Sequence, residues 1–177
     1  GDLDLFVGNY VQWSPDIDFE QGATLTGIGR AYGQPMNFQG TFPVLYQNDG
    51  NGNFTDISDS SGVQVRNPAT DGPVAKSLGV APVDINADGW MDLVVANDTV
   101  QNFVFENQKD GSFKEIGSMT GIAFDSYGKA RGAMGIDSAR FREDNVVGIG
   151  IANFANEMTA LYVGRSSNLI FTDEAVP

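Results

Sequence analysis

Asp84-Ile-Asn86-Ala-Asp88-Gly89-Trp90-Met91-Asp92 places oxygen-bearing side chains at positions 1, 3, 5 and 9 of one loop, with glycine at position 6. Side chains at alternate positions converge on one point, and the glycine takes the left-handed turn that wraps a backbone round a small ion. Hard oxygen donors at this spacing suit calcium, with Asp84, Asn86, Asp88 and Asp92 offering side chains and Trp90 its carbonyl. The helix-loop-helix version of such a loop closes with glutamate at position 12, and here position 12 is Val95. Its flanks, Leu78–Val83 and Leu93–Ala96, are short, apolar and rich in β-branched residues. They predict a cation loop between two buried strands. Without an ion, the same residues read as a polar hairpin whose Asp and Asn side chains brace backbone turns.

Working outward from the loop, the chain repeats. Val44-Leu-Tyr-Gln-Asn48 through Phe54-Thr-Asp-Ile57 matches Phe103-Val-Phe-Glu-Asn107 through Phe113-Lys-Glu-Ile116, and more weakly Leu161 through Phe171-Thr-Asp173. The anchors Phe54, Phe113 and Phe171 stand 59 and 58 residues apart. A second block, Asp4-Leu-Phe-Val-Gly-Asn9, aligns with Asp92-Leu-Val-Val-Ala-Asn97, and Ala152-Asn153 closes the equivalent strand of a third copy. Asp4 and Asp92 lie 88 residues apart, so the first copy carries 29 extra residues, between Tyr10 and Pro43. Each copy reads as strand, cation loop, strand, turn, strand, Gly-rich turn, strand. Four antiparallel strands at this period describe a β-propeller blade. The expected organisation is a truncated first blade over 1–63 with the insertion at 11–43, a second blade over 64–122 and a third over 123–177. The turns Asn48–Asn53 and Asn107–Ser112 are acidic too, but tight links between strands explain their Asn, Asp and Gly without a ligand.

Composition narrows the function. The 177 residues are 41% hydrophobic, enough to bury a core, and Gly-rich with no sustained helical periodicity, so the fold class is all-β. Ten basic against twenty-three acidic residues give a net charge of -13, which repels a nucleic-acid backbone or an anionic lipid surface. No apolar run approaches the length of a membrane helix. There is no Cys and no His, which removes thiol nucleophiles, the usual zinc ligands, the Ser-His-Asp triad and the commonest general base. A non-enzymatic role follows.

With the loop and the repeat in hand, the chain resembles the FG-GAP or VCBS repeat proteins, whose blades build the integrin α-subunit head. It is most similar to the bacterial relatives of cartilage acidic protein, the group often carrying an ASPIC/UnbV segment, although no such tail is present. The resemblance rests on Gly1–Asn9, Leu45–Asp56, Gly79–Leu93 and Ala96-Asn97. It implies a seven-bladed propeller, structural calcium between the first two strands of a blade, and an extracytoplasmic role in binding or adhesion. The second copy alone carries the complete loop. Asp4 matches the last ligand of a partial first loop, with Asp2 as a spare carboxylate. In the third copy Asp137 matches the first ligand, but Ala139 and Phe141 fill the next places, so an empty site is expected unless Asp144 or Asn145 contributes after a shift.

About two and a half periods cannot close a propeller. The expected partners are therefore further blades of a longer parent chain, or a second copy pairing through exposed strand edges. A secreted, periplasmic or cell-surface location is expected, with its export signal outside this chain. The expected ligand is a protein or a glycan held at loops, with the 11–42 loop supplying Trp13, Arg30 and Tyr32. A lectin, or a carbohydrate-acting enzyme using Asp16, Asp18 and Glu20, is the alternative.

Overall fold

The computed structural model describes residues 2–142, 146–165 and 168–175. It opens with β1 (Leu5–Val7), followed by an elaborated connection containing α1 (Pro15–Gln21), the hairpin β2 (Thr24–Leu25) and β3 (Gly29–Arg30), and a 3-10 turn at Pro35–Asn37. β4 (Val44–Asn48) and β5 (Phe54–Asp56) complete a three-stranded sheet in the order β1-β4-β5. A four-stranded sheet follows, of β6 (Ser77–Val83), β7 (Asp92–Asn97), β8 (Phe103–Asn107) and β9 (Phe113–Glu115). After the short helix α2 (Gly117–Thr120), β10 (Ala133–Arg140), β11 (Val147–Asn153), β12 (Ala160–Arg165) and β13 (Asn168–Asp173) form a second four-stranded sheet. Consecutive strands pair antiparallel within each four-stranded sheet.

The middle sheet is buried on both faces. From β7, Leu93 and Val95 pack with Leu45, Phe103 and Phe105 on one side. Val94 and Ala96, one residue out of step, pack with Ile149, Ile151, Tyr162 and Phe171 on the other. Because side chains alternate across a strand, burial on both faces demands a continuous apolar run rather than alternation. That is why Asp92-Leu-Val-Val-Ala-Asn97 lacks a polar interior position.

The insertion is not the long loop its composition suggests. Ser14 caps α1 by accepting from Ile17 N at 3.2 Å, Pro15 pre-sets the first turn, and Gly22 ends it at φ 60°. Asp18 is 1% exposed, holds Arg30 at 2.6 Å and accepts from Gly33 N at 3.1 Å. The insertion is thereby folded onto itself.

One bond recurs at the connections β1–β4, β7–β8 and β11–β12. Asn9, Asn97 and Asn153 each donate Nδ2 to a carbonyl two residues before the next strand: Phe42 at 2.9 Å, Gln101 at 2.9 Å and Met158 at 2.6 Å. The connection runs over 8–43 in the first sheet, 98–102 in the second and 154–159 in the third. The clamp is the same whatever hangs between its ends. A second recurring bond comes from the acid two residues after each anchor phenylalanine. Glu115 Oε1 accepts from Val104 N at 3.3 Å and Asp173 Oδ1 from Leu161 N at 3.0 Å, while Asp56 reaches Leu45 N through the Ser58 hydroxyl.

Asn97 is fully buried and also accepts from Lys76 N and Ser77 Oγ, both at 3.1 Å. Asn97→Ala strands these groups, and urea unfolding should show a loss of about 2–4 kcal/mol, against under about 1 kcal/mol for a change at an exposed hairpin position such as Asn51.

Candidate metal centre

The acidic loop links β6 to β7, with Asp84 just past one strand and Asp92 opening the next. Its chain path is a spiral of backbone amides aimed at side chains. Asp88 N donates to Asp84 Oδ1 at 3.0 Å and to Asn86 Oδ1 at 3.1 Å, and Gly89 N donates to Asp84 Oδ2 at 3.0 Å. Trp90 N donates to Asp88 Oδ1 at 2.9 Å. Ala87 and Gly89 sit at φ 59° and 88°, the left-handed steps that turn the spiral. Gly89 takes this step without cost, whereas Ala87 takes it at about 1 kcal/mol.

Asp92 is fully buried, and both oxygens are engaged: Oδ2 by Ile85 N at 3.0 Å and Oδ1 by Asn107 N at 2.8 Å. Burial pushes its carboxyl above the usual range, the negative charges of Asp88 and Asp84 push the same way, and the two amide bonds oppose the rise. Asp88 is shifted down, chiefly by the Trp90 amide, with further help from Lys109, whose Nζ lies 3.1 Å from Oδ2. Asn86 Nδ2 donates to that same oxygen at 3.0 Å.

Arg140 donates Nη2 to Asp84 O at 3.2 Å, so two cations already stand at the loop's three carboxylates. Yet among the described residues no three acidic side chains gather closely enough to form a metal cluster. In the loop the carboxylate oxygens are engaged by backbone amides, and Lys109 with Asn86 Nδ2 covers Asp88. The donor chemistry suits a hard divalent cation, since Asp84, Asn86, Asp88, Asp92 and the Trp90 carbonyl are all oxygen donors. Bringing them onto one ion requires Lys109 to leave and the Asn86 amide to turn.

Asp4 reproduces half of the Asp92 pattern. Its Oδ1 accepts from Asn48 N at 2.9 Å, and Asn48 Nδ2 donates to Leu3 O at 3.1 Å, just as Asn107 Nδ2 donates to Met91 O at 3.0 Å. This Asp–Asn clasp is why the two blocks repeat together in the sequence, and it is a strand bond in its own right. Asp2 lies beside the Asn48–Asn53 turn, its Oδ2 3.4 Å from where a Cβ on Gly50 would sit. That turn and Asn107–Ser112 are hairpins closed by Asp49 N to Asn53 O and Gln108 N to Ser112 O.

The third copy needs a correction. Asp137 is not at the head of a loop: it lies within β10, paired with Gly150 of β11. The corresponding loop starts only after Arg140, because β10 runs further along its partner than the sequence alignment implies. Asp144 and Asn145 lie outside the described residues.

Of the ligand-binding candidates, Trp13 and Tyr32 are exposed, whereas Arg30 is committed to Asp18 and lies 3.9 Å above the Phe19 ring. Asp18 is tied up in the same pair, leaving Asp16 and Glu20 on the exposed side of α1. Sequence reasoning passed over Asp98 and Glu157, which flank a cleft between the second and third sheets. No local pattern announces them, since each follows its strand by a different offset.

The class defined here is a repeat of stacked, four-stranded antiparallel sheets with an acidic loop between the first two strands of the middle one. Residues 84–147 match the profile of the FG-GAP-like repeat family, which supports reading the chain as an FG-GAP repeat protein. The matched stretch is a little over a third of the chain and runs from the head of the acidic loop to the first residue of β11. Comparison with curated proteins gives no match.

Replacing Asp92 by Ala leaves two amides without partners. In calcium-free buffer it should cost about 2–4 kcal/mol in denaturant unfolding, while Asp4→Ala, whose bond is exposed, should cost under about 1 kcal/mol.

Proposed function

We propose that the chain is a run of propeller blades serving as an extracytoplasmic binding or adhesion module, stiffened by one calcium ion at the loop 84–92. The observation that carries this reading is the donor set of that loop: five oxygen ligands at the right spacing, with three carboxylates against two nearby cations, Lys109 at Asp88 and Arg140 at the Asp84 carbonyl. When bound, calcium would neutralise this excess and tie β6 to β7. Asp84, Asn86 and Asp88 would turn inward, Trp90 would offer its carbonyl, and Asp92 would use the lone pairs that its two amide bonds leave free.

The reading of further blades is supported by the outer face of the first sheet. Leu5 pairs with Tyr46 and Val7 with Val44 on the face opposite Phe6 and Leu45, which point into the core. A neighbouring sheet would cover these side chains as the first sheet covers the second. A protein or glycan ligand remains the proposed partner, recognised at loops such as that carrying Trp13 and Tyr32.

Calcium should raise the melting temperature, by an amount equivalent to about 2.7 kcal/mol at a hundredfold excess over the dissociation constant. Asp88→Ala should remove most of that rise, and Lys109→Met, which frees Asp88, should enlarge it at a given calcium concentration. A melting curve indifferent to chelator would overturn the proposal.

A further inference from the structure

The second-to-third strand connections of the last two sheets converge with the insertion around a cleft of about 470 Å³. Pro35 and Met36 of the 3-10 turn form one wall, Met134 and Phe154 the other, and Tyr10, Asp98 and Glu157 supply polar atoms. The lining is largely apolar with a few converging polar groups, the usual make-up of a small-molecule site. Met36 and Phe154 stand 64% and 65% exposed at this opening.

The carboxylate of Asp98 is the telling group. The residue is only 3% exposed, its Oδ2 accepts the Tyr10 hydroxyl, and Oδ1 has no hydrogen-bond donor among the described residues. Glu157 sits close by, with Oε2 accepting from Gly132 N at 2.6 Å. A Cβ built on Gly132 would lie 3.1 Å from Asp98 Oδ1 and 3.5 Å from Glu157 Oε2, so the two oxygens are at most 6.6 Å apart. No cation lines the cleft. The nearby Lys76 is itself buried and donates Nζ to Pro35 O at 2.7 Å. Asp98 is thus buried with Tyr10 as its hydrogen-bond donor and Lys76 in electrostatic reach, while Glu157 reaches the same space from an exposed position, so the cleft lining itself presents two acids and no positively charged residue.

Backbone strain falls at the same place. Thr99, which lines the cleft, holds φ 60°, a region that β-branched residues rarely enter. Its hydroxyl donates to Asp98 O at 2.7 Å. Strain of this kind persists only where the surrounding structure over-determines the residue.

We propose that this cleft binds a small organic cation: a primary ammonium group on an apolar or aromatic body. The ammonium would lie between Asp98 Oδ1 and Glu157, three donors meeting two carboxylates. The body would lie against Met36, Met134 and Phe154, where an aromatic ring and thioethers offer soft apolar contact. Tyr10, whose phenol burial and Asp98 together hold strongly in the protonated form, fixes the acid's orientation. The site deepens the reading of the chain as a binding module and does not depend on the loop 84–92.

The test is an NMR titration of the whole chain with phenethylamine, followed through backbone amides, with phenylacetate as the probe of the same shape and opposite charge. Phenethylamine should shift the amides of Asp98, Thr99, Gly132 and Phe154 and saturate in the roughly millimolar range of a small fragment. Phenylacetate should leave them in place. Asp98→Asn should weaken binding by roughly tenfold or more, since a charged hydrogen bond is lost. Met36→Arg, at an exposed position that does not challenge the fold, should weaken it by placing a positive charge at the rim. Equal response to both probes, no saturable shift at these amides, or unchanged binding in Met36→Arg would overturn the proposal. Calcium is followed separately at Gly89, so failure of the cation loop and failure of the cleft give different spectra.

Discussion

A single asparagine bond sets the terms for the rest of this structure. In each of the three main sheets, an Asn at the end of a strand (Asn97, Asn153) or two residues past it (Asn9) donates its amide to the carbonyl two residues before the next strand of that sheet. Loop closure costs entropy that grows slowly with length, so a connection held at its ends tolerates large additions. The same clamp therefore closes five residues in the second sheet (98–102) and thirty-six in the first (8–43). An elaborated helix, hairpin and turn can grow between β1 and β4 without altering how those strands pair. The acids at Asp56, Glu115 and Asp173 do the corresponding work for the third and fourth strands.

This division separates the packed framework from the connections between its strands. The two apolar clusters on either side of β7 and β8 supply the cohesion, and the side-chain clasps at the strand ends fix register. What remains free to vary lies in the connections. It is there that the insertion folds onto Asp18 and Arg30, and there that Asp98 and Glu157 face an apolar cleft. The acidic loop belongs to the opposite ends of β6 and β7 from the Asn97 clamp. The acidic loop and the cleft thus lie at opposite ends of the same sheet.

Much of the sheet framework was legible in the chain because each clasp imposes its own residue type at a fixed place. Asp4 and Asp92 with Asn48 and Asn107, Asn9 with Asn97 and Asn153, and the anchors Phe54, Phe113 and Phe171 all recur for that reason. The same regularity has two sources. Asp92 reads as a metal ligand, and its oxygens also carry the strand clasp, so a repeated acid alone does not report an ion. The register of the third copy was hidden, because Asp137 sits in a strand longer than its counterpart. Helix α1 was overlooked for a different reason: its caps at Ser14, Pro15 and Gly22 are local signals, while a seven-residue helix is too short to show periodicity. The cleft was unreadable, since Asp98 and Glu157 come together only through the stacking of two sheets.

The claim that the asparagine clamp closes each sheet is tested most directly where its connection is longest. Hydrogen exchange should be followed at the amides of Val44–Asn48 in the Asn9→Ala variant. The account predicts that β4 loses protection there while β7 and β8 keep theirs. Protection of β4 unchanged from the parent chain would contradict it.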